Sequence, residues 1–247
     1  MLQQVVERQR AGARWLLHGA GDAATESLWK LLVLLRLMTA IIYTYPDDYL
    51  MAGLSARIMA AQGIRVIFAI DAKDPFFACE FGQCVATRFP RSGNLNGKEF
   101  ILGNLRLMRE HADGDYVFKV DSDTLLLDAT RLLEGRNEVI VGPWVDGMQG
   151  MYGGCYAVRA KSLPAMIEAA EALPDSPYYM EDKTTGELAR KVGPVHLPKF
   201  HAADSLYTAW KPANPPEWYR ERKAVVVLNR TESFRKDSIA REMKRFL

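Results

Sequence analysis

Asp115–Asp128 reads "DYVFKVDSDTLLLD". Its first half, Tyr116 to Val120, is an apolar run rich in aromatic and β-branched residues and short enough to be a strand. That strand delivers Asp121 and Asp123, one residue apart, at its carboxyl end. Carboxylates closing a buried strand cost desolvation free energy unless water, a cation or a basic partner receives their charge. In open α/β sheets ligands collect outside the carboxyl ends of the strands, so the neighbouring elements decide whether the acidic pair belongs to such a sheet.

Upstream, "IRVIFAIDA" (64–72) is nearly continuous in apolar residues, as a strand covered on both faces must be, and it ends on Asp71. Earlier still, "AIIYTY" (40–45) reads as a strand that passes into a helix at Pro46, whose fixed φ suits a first helical position. Asp47 and Asp48 stand in the first turn, where the helix dipole favours them. Leu50, Met51, Leu54, Ile58 and Met59 make one apolar helical face, and Gly63 stops the helix. A loop of turn formers, "FPRSGNLNG" (89–97), precedes a helix from about Lys98 to His111 that leads back to the acidic strand. Alternating strands and helices predict an α/β fold: a mixed, mostly parallel central sheet flanked by helices, Rossmann-like, in a single domain.

At 247 residues, one large α/β domain is the default. With 32 basic against 30 acidic residues the chain lacks the charge excess of a nucleic-acid binder. Cys79, Cys84 and Cys155 are too few for a disulfide framework or a four-ligand zinc site and fit a reducing compartment. "LLVLLRLMTAIIYTY" (31–45) is interrupted by Arg36 and falls short of the roughly 20 residues that span hydrocarbon. A helix from about Thr25 followed by a strand is the better reading, and the expectation is a cytoplasmic protein. Met1 to His18 and Ser233 to Leu247 read as amphipathic helices packed on the domain, the second with a basic face suited also to peripheral contact with an anionic membrane. "WKPANPPEWYRERK" (210–223) reads as an irregular, aromatic-rich loop whose rings either stack on a sugar or fill core.

Three readings compete for Asp121 and Asp123. They are solvated or capping carboxylates; or the nucleophile loop of a phosphatase, since the string resembles the haloacid-dehalogenase opening; or a site for a divalent cation. The phosphatase motif closes the first strand of its fold and has Gly and Thr after the second Asp, whereas here Thr124 follows at once and two strands precede. The metal reading has two hard oxygen ligands approaching Mn²⁺ or Mg²⁺, which keeps several waters and leaves positions for phosphates. Further candidates lie downstream. Gly153 and Gly154 precede a short strand and a helix, where missing side chains let a sugar or backbone approach. Glu181 and Asp182 open a helix that ends at Gly193, and His196 and His201 follow.

In this order the segments resemble the GT-A glycosyltransferases, most closely the beta-1,3-galactosyltransferase and fringe-like group. "NLNGK" (94–98) is similar to that group's Asn-Leu-x-x-Lys segment, "DYVFKVDSD" to its strand and D-x-D, "GGCYAV" (153–158) to its glycine-rich acceptor-side strand, and "MED" (180–182) to its Glu-Asp motif. The likeness covers about residues 40 to 205. It implies a 39–230 catalytic domain, with 39–123 the nucleotide-binding half and 124–230 the acceptor half, between a 1–38 helical segment and a 231–247 helix. It also implies a metal-dependent, inverting transfer of a sugar from a nucleotide-diphosphate donor, a UDP-sugar, to a hydroxyl of a glycan or lipid-linked acceptor. Asp123 and His201 would bind the Mn²⁺ or Mg²⁺ directly, with Asp121 acting through water or on the ribose. Asp182 would be the base and Glu181 would orient the acceptor. Tyr45, Asp71, Lys98 and Ser122 would contact the nucleotide sugar, and Gly153 and Gly154 the acceptor. The Golgi members of the group have a membrane anchor and luminal disulfides; this chain is expected to be a bacterial or viral relative with neither. The alternative is a binding module that keeps the nucleotide-sugar site without turnover.

Overall fold

A computed structural model describes residues 38–74, 78–88, 97–211, 213–228 and 236–247. The expected amino-terminal helices, and the first three residues of "NLNGK", lie outside these. The first half of the described chain runs β1 (Thr39–Tyr43), α1 (Tyr49–Ala61), β2 (Arg65–Asp71), β3 (Gln83–Thr87), α2 (Gly97–His111), β4 (Tyr116–Asp121) and β5 (Thr124–Leu126). Then come α3 (Ala129–Leu133), β6 (Ile140–Val141), β7 (Trp144–Val145), β8 (Gly150–Met151), β9 (Cys155–Arg159), α4 (Leu163–Glu171), α5 (Glu181–Val192) and β10 (Val195–His196). The chain closes with β11 (Tyr207–Ala209), α6 (Pro216–Arg222), β12 (Val225–Val227) and α7 (Lys236–Lys244).

Seven strands form the central sheet in the order β10-β6-β9-β4-β1-β2-β3. All neighbours are parallel except β9, which is antiparallel to both β4 and β6. The expected mixed, mostly parallel sheet is therefore the observed one. Strand alternation sorts the core onto two faces. On one, Ile42, Phe68, Phe118 and Val120 meet Ala52, Ala56 and Met59 of α1. On the other, Ile41, Ile67 and Val117 meet Phe100, Ile101 and Leu105 of α2, Met166 and Ile167 of α4, and Leu188 of α5. Each fully buried large apolar side chain contributes about 1.5–3 kcal/mol, so covering both faces is what makes continuous apolar strands stable.

Two features differ from the sequence reading. β3 is an additional strand, just ahead of the 89–97 loop; its alternation is weak, with exposed Gln83 and half-buried Cys84 and Val85, as on a sheet edge. The stretch 210–223 is not irregular throughout: Pro215 and Pro216 start the short helix α6, because a proline ring pre-sets φ and the missing N–H is not needed in a first helical turn. Its aromatics fill core. Trp210 lies 4.8 Å from Tyr219 and 5.3 Å from Phe246, ring centre to centre.

A small sheet, β11-β12-β5, sits beside the main one. The turn Asp121–Thr124 is consequently strung between two sheets, since β4 belongs to the first and β5 to the second. Its backbone is pinned at both ends: the Asp121 N–H donates to the Gly154 carbonyl at 2.9 Å, and the Leu228 N–H to the Asp123 carbonyl at 2.9 Å. β1 connects to β2 on one side, while β4 pairs with β1 on the other. The crevice at the carboxyl ends of β1 and β4 is thus the topological switch point of the sheet, and Tyr43 stands opposite Asp121 there.

Candidate active site

Four segments meet at that crevice: the end of β1, the Asp121–Asp123 turn, the glycine pair before β9, and the start of α5. Asp121 closes β4 with a side chain 42% exposed, and its Oδ1 accepts a 2.6 Å hydrogen bond from Lys119 Nζ. Ser122 is buried and donates to Asp48 Oδ2 at 3.2 Å, joining the turn to the residue that precedes α1. Tyr152 lies in the field of Asp123 and Asp121: burial first, then those two charges, push its phenol well up.

Glu181 and Asp182 are neighbours with different surroundings. Glu181 is only 6% exposed; its Oε1 accepts from Asn104 Nδ2 at 2.9 Å and from the Tyr156 hydroxyl, and its Oε2 stands 3.8 Å from Lys119 Nζ. Burial raises its pKa, with the Lys119 charge in partial opposition. Asp182 is half-buried. Its Oδ2 accepts the Gly153 N–H at 3.0 Å and its Oδ1 the Lys183 N–H at 2.8 Å. Burial raises its pKa as well, opposed by those two N–H groups and by Lys119. An oriented carboxylate with a pKa above the ordinary range is what a general base working near neutral pH requires.

The glycines are there for lack of room. A Cβ on Gly153 would lie 3.0 Å from Asp182 Cβ, and one on Gly154 2.9 Å from Tyr152 Cε1 and 3.1 Å from Val227 Cγ2. Both positions therefore serve the packing of the site's own side chains.

The remaining candidates are spread more widely. Tyr45 is 42% exposed just beyond β1, at the rim of the switch point. Asp71 ends the next strand outward and caps its own turn, accepting the Lys73 N–H at 2.9 Å. Lys98 is tied down elsewhere: its ammonium donates to the Leu173 carbonyl at 2.6 Å and pairs with Asp175 at 3.2 Å. His196 lies on β10 at the far sheet edge. His201 has a left-handed backbone, φ 67°, uncommon for a residue other than glycine and often a mark of a functional loop. Its ring centre lies 4.1 Å from that of Phe200 at a tilt of 56°, and Phe200 lies 5.3 Å from Tyr152. His201 also lines a cavity of about 540 Å³ with Asp204, Lys211, Trp218, Arg222 and Lys223. Partial burial, then the Lys211 and Lys223 charges, hold its pKa low.

Two carboxylates suit Mn²⁺ or Mg²⁺, whereas an imidazole is better matched to softer transition-metal ions. Among the described residues no three His, Cys, Asp or Glu side chains gather closely enough to share an ion. The His201 Nδ1 is also occupied, accepting the Ala209 N–H at 3.3 Å. What fits is a carboxylate pair holding an ion that completes its shell with water and a ligand's phosphates, the usual mode for Mg²⁺.

The sequence reading missed the interior of the site. Lys119, 5% exposed, faces the same side of the sheet as Val117 and stands opposite Tyr156 of β9. Asn104, on the buried side of α2, accepts from the Tyr43 hydroxyl at 2.5 Å and donates to the Tyr156 hydroxyl at 2.8 Å. The available signal was polarity out of place: a lysine inside an apolar strand, and an asparagine among Phe100, Ile101, Leu105 and Met108.

No protein-family model matches the sequence, and no curated protein does. Among solved structures, the chain is similar to a glycosyltransferase involved in the glycosylation of the major capsid of PBCV-1, at 12% identity over 84% of this chain and 98% of that one, with a TM-score of 0.50. It is also similar to the galactosyltransferase LgtC in complex with donor and acceptor sugar analogs, at 15% identity over 85% and 94% of the two chains, TM-score 0.49. A third is the glycosyltransferase GlyE of Streptococcus pneumoniae, at 7% identity over 83% and 62%, TM-score 0.46. The first of these, at 12% identity and a TM-score of 0.50, shares its fold with this chain, and that fold is of the GT-A type.

Proposed function

We propose that this protein is a glycosyltransferase that moves a sugar from a nucleotide-diphosphate donor, a UDP-sugar, to a hydroxyl of a glycan or lipid-linked acceptor, with inversion. The observation that carries the reading is the convergence, at the switch point of a GT-A sheet, of the Asp121–Asp123 turn with a carboxylate, Asp182, oriented by two backbone N–H groups. The sequence resemblance to the beta-1,3-galactosyltransferase and fringe-like group supports the same assignment. Three cysteines in 247 residues fit a reducing compartment, which supports the cytoplasm as the place of work.

Asp182 takes the proton of the acceptor hydroxyl as its oxygen attacks the anomeric carbon; the bond from that carbon to the diphosphate breaks, and the nucleotide leaves with the electron pair. Attack from the side opposite the leaving group inverts the anomeric centre. Asp121 and Asp123 would hold Mn²⁺ or Mg²⁺, and the ion would stabilise the charge growing on the diphosphate. Tyr45 and Ser122 border the nucleotide side. Lys211, Arg222 and Lys223, in the cavity wall shared with His201, favour an anionic group there.

The test is turnover of a panel of UDP-sugars with Mn²⁺, with and without a chelator, in wild type and D182N. Transfer that D182N abolishes while nucleotide binding persists is the expected result. Full activity in D182N rules out Asp182 as base, and nucleotide binding by wild type without any turnover would make the protein a binding module.

A further inference from the structure

Lys119 is a cation inside a sheet face where its neighbours are apolar. Its ammonium donates to Asp121 Oδ1 at 2.6 Å and to the Gly153 carbonyl at 2.7 Å, lies 3.8 Å from Glu181 Oε2, and sits 5.9 Å from the centre of the Tyr156 ring. Those partners belong to three different segments of the candidate site. We propose that Lys119 is a positioning residue that locks the Asp121 turn, the glycine loop and the start of α5 into one rigid arrangement, with Glu181 as its inner anchor and not an acceptor contact. The inference rests on the reading of Asp182 as the base.

Gly153 is the point of transmission. Its carbonyl is held by Lys119 and its N–H is donated to Asp182 Oδ2, so the lysine holds one of the two peptide units that meet at Gly153 Cα while the other orients the base. At Asp121 the lysine binds Oδ1, which fixes the orientation of the carboxylate. Behind Lys119, Glu181 is clamped by Asn104 and Tyr156, and Asn104 by Tyr43. A continuous buried polar chain therefore runs from β1 through α2 and β9 to both carboxylates of the site. Such networks rigidify what they connect when every member is satisfied.

The experiment compares K119M with the double variant K119M/E181Q, which leaves no unpaired buried charge. Three readouts are taken: amide hydrogen exchange at Gly153 and Asp121, melting temperature, and, for transfer, kcat and KM separately. In K119M the Gly153 and Asp121 amides are expected to exchange at least about tenfold faster, the share of one hydrogen bond to a charged group, while Ile67 and Phe68 of β2 keep their protection. The double variant should regain much of the melting temperature, because the orphaned carboxylate is gone, yet keep the fast exchange. Where transfer is measured, kcat should fall about a hundredfold in both, as misplacement by about 1 Å does, with donor KM little changed. The proposal is overturned if K119M leaves the two amides protected, or if all amides speed up equally. It is equally overturned if the double variant recovers local protection together with stability, since Lys119 would then only balance the charge of Glu181. If K119M does not fold, the double variant decides alone by the same exchange criterion. Should wild type transfer no sugar, the functional reading fails, while the exchange data still judge the role of Lys119.

Discussion

Replacing Gly153 by alanine is the sharpest perturbation of the base that leaves its carboxylate in place. The new Cβ would stand 3.0 Å from Asp182 Cβ, 3.2 Å from Oδ2 and 3.4 Å from Cγ. Comfortable carbon contacts lie at about 3.5–4.0 Å, so Asp182 must retreat by roughly 0.5–1 Å. That retreat stretches the 3.0 Å bond from the Gly153 N–H beyond the roughly 3.2 Å limit of a good hydrogen bond. A hydrogen bond to a charged acceptor is worth about 1.5–3 kcal/mol, and a less flexible unfolded chain returns about 0.4–1 kcal/mol. The expected net loss is about 1–2 kcal/mol, or ~2–8 °C in melting temperature for a chain of this size. Single-turnover transfer should slow about a hundredfold, the effect of a comparable misplacement of a catalytic group. G147A is the control, because a Cβ there meets nothing within 4 Å. If G153A melts and turns over like wild type and G147A, Gly153 is a plain turn residue and the orientation of Asp182 does not depend on it.

Four further outcomes follow from the same geometry. The rate should fall with decreasing pH around a midpoint above 3.8, the ordinary value for an aspartate, because burial raises Asp182; a midpoint at or below that value would refute the base assignment. The stability sign is the reverse of a salt-bridged carboxylate: the folded state binds this proton more tightly, so ionisation of Asp182 and Glu181 costs stability as pH rises from their ordinary values through their raised ones. UDP with Mn²⁺ at about 100 times its Kd should raise apparent stability by about 2.7 kcal/mol, a gain that a chelator, D121A or D123A should remove; an unchanged shift in both variants argues against the metal pair. Lys98→Ala should cost about 0.5–1.5 kcal/mol in urea unfolding through the lost bond to Leu173, with donor KM unchanged; a large rise in KM would restore Lys98 to the phosphate.

The amino-acid order alone carried the local facts. Continuous apolar runs such as "VIFAI" and "YVFKV" can be satisfied only as strands covered on both faces, and Asp121, Asp123 and Asp182 stand where strand ends and a helix start put them. The edge strand β3 was illegible because a half-exposed strand leaves almost no alternation, and α6 because prolines that open a helix read like prolines that break a loop. Only the tertiary structure could decide what the charges do. Lys119, Gly153 and Glu181 lie far apart along the chain and meet through sheet pairing and helix docking, and no periodicity records which carboxylate ends up beside which cation. Hydrophobic pattern is a property of neighbours in sequence, so it can be read from a string; electrostatic partnership depends on distance through space, and that exists only once the chain has folded.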